Sequence, residues 1–85
     1  MPVISMFYGI IITMYYSDHN PPHFHADFQG QKAVFDFDGN VLTGSFPPKK
    51  VSLVKAWVIL HVDELIANWE LAKLQQTLYK INPLV

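Results

Sequence analysis

Phe24-His25-Ala26-Asp27-Phe28 and Lys32-Ala33-Val34-Phe35-Asp36-Phe37-Asp38 both alternate apolar and polar side chains, and Gln29-Gly30-Gln31 separates them. A period of two marks a strand with one buried face, and two such runs around a glycine predict an antiparallel hairpin. With Gly30-Gln31 as a two-residue loop, Gln29 faces Lys32, Phe28 faces Ala33, Ala26 faces Phe35 and Phe24 faces Phe37. The opposite side then sets Asp27 against Val34, His25 against Asp36 and His23 against Asp38. A slip of one residue would put phenylalanine opposite aspartate throughout, so the parity of the pairing is determined. The hairpin therefore has a core face and a histidine–aspartate face.

Outward from the hairpin, Val3–Tyr8 and Ile10–Tyr16 are rich in β-branched and aromatic residues, with Gly9 as a turn or bulge between them. Gly39-Asn40 makes a further turn, and Val41–Phe46 reads as a short fifth strand ended by Pro47-Pro48. From Lys49 the period becomes helical, with Leu53, Val54, Trp57, Leu60 and His61 on one stripe. Beyond Asp63 the stripe rotates to Leu65, Trp69 and Ala72. Either the helix bends near His61–Asp63, with Asp63 as a new N-cap, or one straight helix serves two surfaces and its second stripe binds another copy. The tail from Tyr79 to Leu84 is expected to be extended and to pack Ile81 and Leu84 on the fold. The expected class is α+β: a four- or five-stranded, mainly antiparallel sheet with a C-terminal helix, or bent helix pair, on one face.

Eighty-five residues are expected to make a single domain, residues 1–85. Hydrophobic residues form 51% of the chain, enough to suggest that a partner covers some of them. Six lysines and no arginine oppose seven acidic groups, for a net charge of −1. The missing guanidinium weakens any case for phosphate recognition, and nucleic acid is not an expected partner on charge alone. Without cysteine there is neither a disulfide nor a thiolate metal site. Val3–Tyr16 is too short to span a bilayer, and no lysine or arginine precedes Lys32 to begin a signal peptide. The expectation is a cytoplasmic protein without membrane contact.

His19-Asn20-Pro21-Pro22-His23-Phe24-His25 holds three of the four histidines. Two prolines stiffen it into a corner. His23 and His25 lie two apart on a strand and so project from one face, with Asp27 two further on. Two imidazoles and a carboxylate make a donor set for a divalent transition metal such as Zn²⁺ or Fe²⁺. The candidate ligands are His23, His25, Asp27, Asp36 and Asp38. His19, His23 and His25 are the candidate catalytic groups, including a metal-free variant in which two imidazoles act as base and acid. The competing reading is a solvated face of ordinary cross-strand His–Asp pairs. His61 is expected to be a core histidine with one partner, Trp57 and Trp69 to be core or interface anchors, and Lys49-Lys50 with Lys55 to be a solvated helix end.

With the histidine corner in view, the chain resembles the bacterial family called domain of unknown function 4160. The resemblance rests on Met1-Pro2, Phe7-Tyr8-Gly9-Ile10, Met14-Tyr15, Asp18 through Ala26, Trp57, His61, Leu65 and Asn68-Trp69-Glu70. It implies a small α+β protein, often encoded beside a protein of the domain of unknown function 2442 family in a two-gene arrangement similar to toxin–antitoxin modules. At Thr13 the family would place a basic residue, so any phosphate-binding role of that position is not expected here. The first functional expectation is an interaction or regulatory partner in such a module, binding its genetic neighbour and itself as a homo-oligomer. The alternative is a small RNase-like hydrolase, metal-dependent or using the paired histidines.

Overall fold

In the computed structural model, which describes residues 2–84, the chain forms five strands and then one helix. Met1, part of the family resemblance, lies outside the described residues. The strands are β1 (Val3–Phe7), β2 (Ile10–Thr13), β3 (His23–Phe28), β4 (Gln31–Asp36) and β5 (Val41–Gly44), followed by α1 (Pro48–Lys73). They make one antiparallel sheet in sequence order. The architecture is the expected α+β, with the helix residues Val54, Trp57, Leu65 and Trp69 buried in a common core with Ile10, Ile12, Phe24, Ala26 and Phe35.

The hairpin keeps the expected faces but not the expected partners. Phe28 pairs with Gln31, Ala26 with Ala33, His25 with Val34, Phe24 with Phe35 and His23 with Asp36. The loop is Gln29-Gly30 rather than Gly30-Gln31, because both residues take positive φ, 51° and 84°. That is the conformation whose twist matches the flanking strands. Each pairing therefore shifts by two, which preserves the side of every residue. His25 consequently does not face Asp36, and His23 does not face Asp38. Tyr8-Gly9 repeats this turn chemistry, with φ of 49° and 76°, and joins β1 to β2, which ends at Thr13 rather than reaching Tyr16.

The helix bends at His61, whose φ of −128° and ψ of 20° lie outside the helical region. The break falls two residues before Asp63, the expected N-cap. The bend turns Leu65 and Trp69 toward their own sheet, where both are buried. Trp69 meets Phe37 and Trp57 meets Phe24, with ring centroids 6.2 and 5.7 Å apart. The rotated stripe thus belongs to this chain's core and leaves no surface of its own for a second copy. Leu60, expected in the stripe, is 65% exposed.

The tail packs as expected. Ile81 is buried and donates its N–H to the Ile4 carbonyl at 2.8 Å, occupying the outer edge of β1. Asn68, 1% exposed, grips Tyr79 twice, accepting from its N–H at 3.0 Å and donating to its carbonyl at 2.8 Å. The Trp57 indole donates to the Asn82 carbonyl at 2.9 Å. These bonds satisfy buried backbone groups that no ladder serves. Among the described residues, no helix is long and apolar enough to cross a membrane.

Candidate metal centre

The helix covers one face of the sheet and leaves the other open. Since Phe24 and Ala26 point to the helix, His25 points the opposite way, while His23, the first residue of β3, is buried at the end of the sheet within reach of the helix residue Trp69. The segment between β2 and β3 then bends back over this end of the open face, with a cis peptide between Asn20 and Pro21. It delivers Asp18. The Asp18 Oδ2 lies 2.8 Å from His23 Nε2 and 3.6 Å from His25 Nε2. One donor atom from each of the three residues falls within 4.8 Å of the others.

The orientation of each ring is informative. His23 is buried, and its Nδ1 donates to the Pro21 carbonyl at 2.6 Å. A proton fixed at Nδ1 leaves Nε2 facing a carboxylate, so that nitrogen either carries a second proton or offers its lone pair to a cation. A backbone carbonyl on Nδ1 is the usual way a protein orients a metal-binding imidazole. Trp69 packs its ring 5.3 Å from that of His23 and holds it from the helix side.

His25 is different. Its Nε2 is shielded from solvent yet has no hydrogen-bond partner, Asp18 being just out of range. Burial pushes its pKa below the ordinary 6.5, aided by the neighbouring His23 charge and opposed by the attraction of Asp18. The ring is therefore held in its neutral, ligand-competent form. Tyr15 meets it edge-on at 4.4 Å. For Asp18, burial works against ionisation. The His19 backbone N–H, the charge and hydrogen bond of His23 and the 3.6 Å approach of His25 outweigh it and lower the pKa below 3.8. The carboxylate stays charged.

Two imidazole nitrogens and one carboxylate oxygen suit Zn²⁺ or Fe²⁺, and three protein ligands leave coordination positions for water or substrate. Ligand bonds of about 2.0–2.2 Å require donors within roughly 4 Å of one another, and the three donors, within 4.8 Å of one another, reach that spacing by a side-chain movement of up to about 1 Å. His19 stands at the rim. Its side chain is 84% exposed, with Nε2 3.9 Å from Asp18 Oδ1.

Of the residues singled out in the sequence, His23 and His25 come together and His19 lies beside them. Asp27, Asp36 and Asp38 do not join. Asp27 accepts from the Gly30 N–H at 3.1 Å and sits 3.9 Å from the Lys32 ammonium, so it secures the hairpin turn. Asp36 accepts from the backbone N–H groups of Asp38 and Asn40, both at 2.9 Å, and so builds the β4–β5 turn in which Asp38 lies. Short polar side chains beside a turn commonly bond the backbone in this way. Asp18 was missed as a ligand because a loop residue has no periodicity to assign it a face. Its position five residues before His23, across Pro21-Pro22, was the available signal.

His61 is half-buried and bonds Glu64 through Nδ1 at 2.6 Å, the single partner expected of it. Lys50 reaches the Tyr8 carbonyl at 3.3 Å and covers the Phe28 ring, so it is not a free basic patch.

The family model described as Domain of unknown function (DUF4160) matches residues 9–70. No curated protein and no solved structure matches the chain.

Proposed function

The chain belongs to the DUF4160 family, whose matched region contains the whole Asp18–His25 segment, and from the geometry of that segment we propose that it is a divalent-metal centre and the protein a small metal-dependent hydrolase. The observation that carries the reading is the His25 Nε2, buried and unbonded beside a charged carboxylate and a pre-oriented second imidazole. Buried polar atoms without partners are rare in folded proteins, and a bound ion is one of the recognised reasons for one. A cation among the three donors accounts for this one.

A divalent ion bound there supplies Lewis acidity to a carbonyl or phosphoryl oxygen. The chain supplies the rest. Asp18, His23 and His25 would hold the ion, the Pro21 carbonyl fixes the His23 tautomer, and His19 at the exposed rim would pass a proton to the leaving group. Elemental analysis of tag-free protein, followed by titration with Zn²⁺, Mn²⁺ and Ni²⁺, tests the centre. One equivalent of metal, lost in Asp18→Asn and His25→Ala, is expected. Metal-dependent turnover on a panel of esters, amides and phosphodiesters tests the reaction class. Stoichiometric binding that survives both substitutions would refute the assignment.

A second reading, as an interaction partner, is favoured by Ile59, Leu60 and Ile66, which are 71%, 65% and 49% exposed on the outer side of the bent helix. Such a surface would meet a second copy or a neighbouring protein of the domain of unknown function 2442 family. It lies on the side of the molecule away from the open face of the sheet, so the two readings are compatible.

A further inference from the structure

We infer that the open face of the sheet binds the acyl chain of a small amphiphilic substrate whose carbonyl end reaches the Asp18–His23–His25 centre; this rests on the metal reading above. A hollow of about 380 Å³ crosses that face, with Val3, Ile11, Val34, Thr13, Tyr15 and His25 among its lining residues. A second hollow of about 240 Å³ contains Asp18 and His23 and shares His25, Val34 and Thr43 with the first. His25 thus stands between the metal donors and a mainly apolar chamber within the size range of small-ligand pockets, about 300–1,000 Å³.

Charge narrows the ligand. In the larger hollow the charged residues are Asp27 and Lys32, which offset each other at 3.9 Å. Near the donors, Asp18 against a divalent ion with two neutral imidazoles leaves a single positive charge. A site of that balance accommodates one anionic or carbonyl group. It does not accommodate a run of phosphates, which demands several cations.

Shape narrows it further. From His25 on β3 to Val3 on β1 is two strand spacings, roughly 10 Å, the reach of a medium acyl chain. The class that fits is an acyl ester or amide. Its hydrolysis breaks the bond from the acyl carbon to the leaving group, adds the water oxygen to that carbon, and gives the leaving group a proton. The product is the free acid, ionised at neutral pH.

Octanoate, the product of such a reaction, is the probe. It is added to zinc-loaded protein while amide chemical shifts are followed, beside octanol and a uridine hexanucleotide. Octanoate should saturate, shifting Ile11, Val34 and Thr43, and should bind at least tenfold more tightly than octanol. Ile11→Asp, at a partly exposed position opposite Asp27 that supplies none of the three donors, should weaken octanoate at least tenfold while leaving zinc uptake unchanged. Zinc uptake without an octanoate response on this face, or with the hexanucleotide preferred, overturns this inference and leaves the metal reading standing. Absence of zinc uptake overturns both. A circular dichroism melt confirms that Ile11→Asp is folded, and the wild-type titration decides the matter independently.

Discussion

Replacing His25 with leucine should make the metal-free protein more stable. The His25 Nε2 is shielded and unbonded, and an unsatisfied buried polar atom costs about 1–3 kcal/mol. The side chain is 34% exposed, which places the recoverable amount at the low end, roughly 1–2 kcal/mol. Against this, the edge contact with Tyr15 is lost, worth about 0.5 kcal/mol or somewhat more. The net expectation is a gain of about 1 kcal/mol, or a rise in Tm of about 4–8 °C for a domain of this size. Calorimetry and urea denaturation at pH 8 with a chelator measure it, because there the wild-type ring is neutral and no ion contributes. A pH series adds a second readout. Burial holds the His25 pKa below 6.5, so the folded chain binds this proton less readily than the unfolded one. The wild-type protein should therefore keep its full stability above about pH 6.5 and lose some as pH falls below it. The leucine variant should lack that loss, while both retain the later acid loss from Asp18, whose lowered pKa acts below 3.8. A variant destabilised by 1 kcal/mol or more at pH 8 would show that His25 holds the fold together, and the argument from an unfilled role would fail.

Three further outcomes follow from the packing. Asn68→Ala should cost about 2–4 kcal/mol by stripping both bonds from Tyr79. Ile81→Ala in that background should cost much less than alone, because the tail is already released; additive urea-denaturation free energies would contradict a tail held as one unit. Phe24→Asp should abolish the cooperative melt by circular dichroism, since it places a charge at a fully buried site among Phe35, Phe37 and Trp57 at a cost of several kcal/mol, whereas a folded variant would mean that the two faces of the sheet are inverted. Sedimentation equilibrium should show a dimer through Ile59, Leu60 and Ile66 that Leu60→Asp converts to monomer, and a wild type that stays at 9.7 kDa over a hundredfold concentration range would remove that surface as a self-contact.

The sequence carries the faces of this sheet more firmly than its pairings. Phe24, Ala26, Phe28 and Phe35 alternate against polar neighbours, and burial reads that alternation directly, so a register error of two residues costs nothing in face assignment. The loop was harder to read because Gln29 offers no compositional sign that it adopts positive φ beside Gly30. The helix shows the converse. Its rotated stripe was visible as Leu65, Trp69 and Ala72 falling off the line of Val54 and Trp57, but rotation is equally compatible with a bend or with a second partner. Only the backbone of His61 decides between them.

The site was half legible for a related reason. His23 and His25 inherit a common direction from the strand, and that direction can be read from spacing two. Asp27, Asp36 and Asp38 share the same strands or turns, yet each is adjacent to a reversal of the chain, and a carboxylate there has backbone N–H groups within immediate reach. Asp18 lies near no such turn donors beyond the His19 N–H, and its second oxygen is left for the imidazoles. The residues best placed by periodicity were thus the ones already committed to shaping the hairpins. A carboxylate for the histidines had to come from the loop that the prolines shape, where sequence gives composition but no direction. The junction also shapes the surroundings of the three donors: His25 looks onto the open face, His23 is buried at its end, and the loop covers that end. The hollow that contains Asp18 and His23 meets the larger one at His25, Val34 and Thr43.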